Sequence, residues 1–352
     1  MRWWKPISSG SSSRSVSHMS QNGPMRTLIT GASGFVGDHL VRKLKAVLPA
    51  DSRLVLAGTN VRGNADPANC KSIYLDITDA SEVNRVIQSE QPTHLLHLAA
   101  IAAVTAANRD IRPAWNVNFS GTQNIALAIF EFVPDCRLLY CSSAEVYGAS
   151  FKSNAALDET ALLQPVNPYG AAKAAADIML GQMALSGLRV LRLRPFNHTG
   201  PGQNTQFVIP AFAAQIAKIE RGEQEPVIRI GDLRSRRDFL DVQDVVDAYT
   251  EALLRFDGLP NGAAINIASG EAHAIQDALD ILVALSQVRI DVAVDAALLR
   301  PNDTPVVLGN ADRARDWLGW RPKRTWNTTL ESVLNYWRLN IDRNSHGSSQ
   351  NH

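Results

Sequence analysis

Residues 26–37 read Arg26-Thr27-Leu28-Ile29-Thr30-Gly31-Ala32-Ser33-Gly34-Phe35-Val36-Gly37. An apolar, β-branched run enters a glycine turn, and a helical pattern follows over 38–47. Glycines at such a junction permit a tight turn, a close approach of the backbone to a pyrophosphate, and packing of the helix on the strand. The helix N-terminus then faces the phosphates. Three glycines in seven residues burden a helix start unless something needs the space, so Gly31, Gly34 and Gly37, with Phe35 and Val36 between them, are read as a dinucleotide cradle. The spacing is Gly-x-x-Gly-x-x-Gly rather than Gly-x-Gly-x-x-Gly.

Outward from this turn, short Leu-rich or β-branched runs alternate with longer helical segments. The alternation predicts strands over 26–30, 53–57, 72–75, 94–98, 137–141 and 189–193, hence an α/β fold with a doubly wound parallel sheet. A helix is expected over 168–185. After about residue 195, Gly/Pro-punctuated loops lead to a helix near 209–221 and a strand near 227–230, read as a smaller α+β lobe. The expected division is a leader over 1–24, a dinucleotide-binding unit over 25–195 with segments returning near 237–268, a substrate lobe over 196–236 and 269–337, and a frayed tail over 338–352.

The 352 residues carry 35 Lys and Arg against 34 Asp and Glu, a net charge of +1, which offers no electrostatic footprint for nucleic acid. No apolar stretch approaches the roughly 20 residues that span a bilayer. Cys70, Cys136 and Cys141 are odd in number and lack metal-ligand spacing, which suits reduced core thiols in a cytoplasmic protein and no metal site.

At the end of the second strand an acidic residue would accept from an adenine ribose 2′-hydroxyl. The chain there reads Ala57-Gly58-Thr59-Asn60-Val61-Arg62, with no carboxylate. Asn60 and Arg62 suit a 2′-phosphate, which favours NADP(H) and leaves NAD(H) possible. Asp76 and Ile77 follow the third strand, within reach of an adenine. Leu98, Ala99 and Ala100 follow the fourth, where small side chains let a cofactor pass.

Asn167-Pro168-Tyr169-Gly170-Ala171-Ala172-Lys173 opens the helix expected over 168–185, Asn167 as N-cap and Pro168 at the first position. Tyr169 and Lys173 then share a face. An ammonium beside a phenol draws its pKa from about 10 toward neutrality, where proton exchange with a substrate oxygen is efficient. Alone, Tyr-x-x-x-Lys is a common accident. The hydroxyl-rich turn Ser142-Ser143-Ala144-Glu145-Val146-Tyr147-Gly148 follows a strand end, where open α/β sheets place ligands, and Ser143 can hold the reacting oxygen there.

The succession of residues 30–37, 98–100, Asn116-Val117-Asn118-Phe119-Ser120-Gly121-Thr122, 142–148, 169–173 and Arg194-Pro195-Phe196-Asn197 resembles the extended short-chain dehydrogenase/reductases that modify nucleotide sugars. The resemblance runs from residue 26 to about 337. It implies a Ser143/Tyr169/Lys173 triad, a Rossmann domain whose cofactor contacts include Asn118, Tyr169 and Lys173, a nucleotide-sugar lobe and a homodimer. The expected dimer face includes the Ala- and Met-rich 168–185 helix.

The stretches 194–203, 237–242 and 300–303 are similar to the GDP-mannose branch. Arg237 and Arg300, read as lying in Gly/Pro-bounded loops, are guanidinium forks suited to a diphosphate. Asn197 would position a phosphate or sugar hydroxyl, and Phe207 and Val208 would wall the base or sugar. What the branch implies is NAD(P)H-dependent reduction at C4 of a GDP-linked 4-keto-6-deoxymannose to GDP-D-rhamnose. Related dehydratases carry a hydroxyl or acid, then a glutamate, after the catalytic Ser/Thr. Here Ala144 cannot relay a proton although Glu145 remains beside the substrate. A 4,6-dehydratase, a 4-epimerase and a non-catalytic dinucleotide sensor are the competing readings.

Overall fold

The computed structural model describes residues 24–60, 69–231, 233–295, 298 and 304–344. In chain order the first half runs β1 (Arg26–Thr30), α1 (Phe35–Val47), β2 (Arg53–Gly58), β3 (Cys70–Tyr74), α2 (Ala80–Glu90), β4 (His94–His97), α3 (Val104–Arg109), α4 (Ile111–Trp115), α5 (Thr122–Phe132), β5 (Arg137–Cys141), α6 (Pro168–Leu185) and β6 (Val190–Pro195). The second half runs β7 (Asn197–Thr199), α7 (Val208–Glu220), β8 (Val227–Ile230), β9 (Arg236–Asp241), α8 (Val242–Leu254), β10 (Ala264–Ile267), β11 (Ala272–Ala274), α9 (Ile275–Ala284), β12 (Asp291–Val294), β13 (Val306–Val307), α10 (Asp312–Leu318) and α11 (Trp326–Asn344).

Seven strands form one parallel sheet in the order β10-β6-β5-β4-β1-β2-β3. The strand order reverses between β1 and β4, and the crevice outside their carboxyl ends is where such sheets bind ligands. Leu28, Ile29, Leu95, Leu96, Leu138, Leu139 and Leu191 are buried in these strands because helices cover both faces. A smaller sheet runs β11-β9-β13 with β7 beside β9, and β12 pairs β8. Helices α7, α9 and α11 pack together over a separate core built on Phe212, Ile216, Leu279, Leu330 and Leu334. Ala314, Leu318 and Trp320 bury into the core shared by α1 and β10, so α10 packs on the large sheet.

Several expectations shift. The third strand is Cys70–Tyr74 rather than 72–75, since β2 pairs with it from Leu54↔Cys70 to Gly58↔Tyr74. The sixth runs on to Pro195 because Ile267 of β10 pairs opposite that residue. The first helix begins at Phe35, with Gly34 as its N-cap. The chain from 338 does not fray at once. The helix continues to Asn344, and the Arg338 fork donates from Nε and Nη2 to Glu220, both at 2.7 Å, and from Nη2 to the Leu285 carbonyl. Arg237 sits within strand β9, not in a loop, because β11 and β13 pair on either side of it. Residues 1–23 of the leader expected over 1–24, and Arg62 and Arg300, lie outside the described residues.

Candidate active site

The cradle is built by two close approaches. Gly31 has φ +71° and lies so near the β4 exit that a Cβ there would sit 2.7 Å from the Ala99 nitrogen. A Cβ on Gly37 would meet the Gly31 carbonyl at 2.3 Å. These two glycines let α1 start against the strands, as the sequence reading required. Gly34 caps α1 without a side chain, which leaves first-turn amides at a positive helix end beside the β1 exit without a side-chain cap. The site thus fits a dinucleotide pyrophosphate. Phe35 stacks its ring on His198, centroids 6.2 Å apart and planes 9° from parallel, and meets His39 edge-on. Val36 packs into the core.

Around the crevice the cofactor candidates divide. Asp76 accepts from the Thr78 amide at 2.9 Å and hydroxyl at 2.8 Å, an Asx turn that fixes the β3 exit. Ile77 is buried against Gly121. Leu98, Ala99 and Ala100 are half-buried along the β4 exit. Asn60 is exposed just past β2. Asn118, fully buried in a π-helical turn over Asn116–Gly121, spends its amide on the backbone of Ile101: the N–H donates to Oδ1 at 2.9 Å and the carbonyl accepts from Nδ2 at 3.1 Å. Its side chain therefore holds the loop after β4.

The β5 exit and the start of α6 bring the reactive groups together. Asn167 caps α6, its Oδ1 accepting from the Gly170 amide at 2.8 Å while Nδ2 donates to Glu145 Oε2 at 2.8 Å. The Ser143 oxygen accepts from the Glu145 amide at 3.2 Å, and Ser143 hydrogen-bonds the Tyr169 phenol. Tyr169 and Lys173 share one face of α6, both buried. Lys173 Nζ donates to the Cys141 carbonyl at 2.6 Å and lies 4.8 Å from the Tyr140 ring centroid.

The expected electrostatics need correcting. The ammonium was to draw the phenol down, yet burial pushes Tyr169 up to about 12, opposed by the Ser143 hydrogen bond and aided by Glu145. Burial also lowers Lys173 to about 8. Desolvation outweighs pairing because Lys173 turns to a backbone carbonyl. A phenol held protonated is the form a proton donor needs.

On the lobe side, Asn197 begins β7 opposite Phe239 of β9. Phe207 caps α7 and Val208 opens it, half-buried against the lobe core. Arg237 is half-buried, its Nη1 donating to the Arg236 and Thr304 carbonyls at 2.9 and 2.7 Å.

Sequence reading missed the support behind the helix that carries Tyr169 and Lys173. Asp177, fully buried on α6, accepts from Arg192 Nη1 at 2.7 Å and from Arg194 Nε and Nη2 at 3.0 and 2.8 Å. Arg194 also donates to the Tyr147 hydroxyl, which donates to Asn266. The signal was present: Tyr169, Lys173 and Asp177 recur every fourth residue, and Arg192 and Arg194 alternate on one strand.

The family model described as GDP-mannose 4,6 dehydratase matches residues 28–333. The GDP-6-deoxy-D-mannose reductase of Pseudomonas aeruginosa is 33% identical, covering 90% of this chain and 98% of that one. The GDP-6-deoxy-D-talose 4-dehydrogenase of Aggregatibacter actinomycetemcomitans is 26% identical, covering 84% and 92%. The solved structure of RMD from Pseudomonas aeruginosa complexed with NADPH superposes with a TM-score of 0.76 at 32% identity, over 89% of this chain and 99% of that one. The glycine turn at the sheet's switch point, the Ser/Tyr/Lys cluster beside it and this near-full-length match agree, and the chain belongs to the extended short-chain dehydrogenase/reductase family, in its GDP-mannose 4,6-dehydratase-like branch.

Proposed function

We propose that the protein reduces GDP-4-dehydro-6-deoxy-D-mannose at C4 with NADPH, giving GDP-D-rhamnose. The observation that carries the reading is the buried meeting of Ser143, Tyr169 and Lys173 beside the glycine cradle, with Ala144 buried between Ser143 and Glu145. An alanine there relays no proton, which counts against a dehydratase although Glu145 remains. The similarity to a reductase, and to a structure whose title names NADPH, supports the same choice.

When bound, the reduced nicotinamide supplies the hydride to C4. The protein's part is to hold the ketone and to neutralise its oxygen. Ser143 accepts the Glu145 amide on its oxygen and lies against the Tyr169 phenol, so its single proton would turn from the phenol to the ketone oxygen when the sugar binds. Tyr169 gives its proton to that oxygen as charge develops. Lys173 keeps two further donors beyond the Cys141 carbonyl, suited to ribose hydroxyls. Asn197, Phe207, Val208, Arg237 and Arg300 are proposed for the GDP-sugar, with Glu145 flanking the sugar. The test is absorbance of NADPH on mixing with GDP-, UDP- and dTDP-linked 4-ketosugars. Consumption confined to the GDP sugar with a rhamnose product supports the reading, and no consumption with any of them removes it.

Two further results are expected. The Lys173 ammonium is present below its pKa and lost above it, whereas Tyr169 stays protonated to about 12. The turnover rate should therefore hold below about pH 8 and fall as pH rises through it; a profile flat to pH 10 would detach the Lys173 charge from the step. For the cofactor, Arg62→Ala should lower kcat/KM with NADPH about tenfold or more, the worth of a hydrogen bond to a charged group, and leave NADH unaffected. An unchanged NADPH/NADH ratio takes Arg62 out of the pocket.

We place the protein in the cytoplasm as a homodimer. Ile178 and Leu185 of α6, the helix expected to pair, are exposed, large and apolar, as are Leu127 and Phe130 of α5. No described helix is long and apolar enough to cross a membrane.

A further inference from the structure

We infer that His97 is a positioning residue that locks the dinucleotide crevice through a one-way chain of buried hydrogen bonds, running from the Ala99 amide to the Asn118 carbonyl. The inference rests on the dinucleotide reading of that crevice.

The direction follows by elimination. Thr122 Oγ1 donates its single proton to the Asn118 carbonyl at 2.8 Å. At its other contacts, 3.0 Å from His97 Nε2 and against the Tyr140 hydroxyl, it then accepts, so Nε2 carries the hydrogen. In a neutral ring Nδ1 is then the acceptor, and Thr30 Oγ1, 2.7 Å away, donates to it. Having given its proton, Thr30 Oγ1 accepts from the Ala99 amide at 3.4 Å. Thr30, His97, Asn118 and Thr122 are all fully buried, so no water mends a broken link. The ring must stay neutral. Burial and then the Lys173 charge hold His97 down at about 3, and that ammonium reaches it across the Tyr140 ring, which tilts against the imidazole at 5.9 Å.

The chain ties the crevice walls together. Thr30 precedes Gly31, whose backbone presses on Ala99. Asn118 clamps Ile101 from both sides. One imidazole thus spans the exits of β1 and β4 and the turn leading into α5, the three segments on which a dinucleotide would lie. The other tautomer would need the Thr122 proton at Nε2 and take it from the Asn118 carbonyl, and a protonated ring would leave the Thr30 proton without His97 Nδ1 as its acceptor.

The test is NADPH titration, by its fluorescence, of the full-length protein and of Thr30→Val and Thr122→Val, each nearly isosteric but lacking the hydroxyl. Dissociation constant and KM for NADPH should both rise about tenfold, the size of one buried hydrogen bond lost. The change in kcat should be smaller, and Thr30→Ser and Thr122→Ser should restore affinity to within about twofold. Folded valine variants with unaltered affinity would overturn the inference. Should the valine variants not fold, nitrogen-15 spectra of the histidine-labelled protein decide: His97 must appear as the Nε2–H tautomer without titrating between pH 5 and 8, and an Nδ1–H or charged ring overturns the chain. A native protein that binds neither NADPH nor NADH defeats the dinucleotide reading itself, while native binding with indifferent variants defeats only the role of His97.

Discussion

Tyr169→Phe is expected to lower kcat by about 10²–10⁴-fold, the usual worth of a positioned proton donor, while NADPH affinity stays within about twofold. The substitution removes one oxygen and keeps a ring packed against Val104, Ala107 and Ala114, so the fold loses little. Ser143 then faces the ketone oxygen alone, and charge accumulating there as hydride arrives has a hydrogen bond but no proton to take up. Because burial keeps the phenol protonated across the neutral range, the loss should be much the same at pH 6 and pH 8. Single-turnover absorbance of NADPH with the GDP 4-ketosugar measures it directly. Retention of more than about a tenth of the native rate would mean that another group supplies the proton.

The second large effect is on stability. Asp177→Ala should cost about 3–5 kcal/mol, because it strands Arg192 and Arg194 in the interior without their shared carboxylate. Burial pushes the Asp177 carboxyl up, but the hydrogen bonds and charges of Arg194 and Arg192 outweigh it and hold the group below the ordinary carboxylate range. A depressed pKa contributes stability above its unfolded value near 4 and loses it as pH falls below that. The gap between native and Asp177→Ala protein in urea unfolding should therefore be full at pH 7 and shrink on acidification. A loss under about 1 kcal/mol at pH 7 would show that the guanidiniums find other partners. Asp177→Asn should cost less, since its amide oxygen still accepts.

These two residues stand eight apart on one helix and mark the limit of what was legible. Tyr169 and Lys173 could be read because their spacing is local and their chemistry is carried in their own side chains. Their environment could not. The pairing expected to lower the phenol was overturned by burial and by the carbonyl of Cys141, a backbone group from a distant strand that no side-chain pattern announces. Asn118 spends its amide on the backbone of Ile101, a pairing across 17 residues that a residue's order in the chain does not announce. Arg237 looked like a loop fork and proved to be a strand residue, because the strands flanking it arrive from residues 272–274 and 306–307.

The amino-acid order alone determined the parallel α/β architecture, the glycine turn and the helix face that Tyr169 and Lys173 share, since each rests on short-range periodicity, the steric freedom of glycine and four-residue helical spacing. Tertiary structure alone decided the protonation of the phenol and lysine, the buried Asp177 ion pairs and the hydrogen-bond direction through His97. Those depend on solvent exclusion and on partners 15 to 67 residues away along the chain, and neither is written in any local pattern.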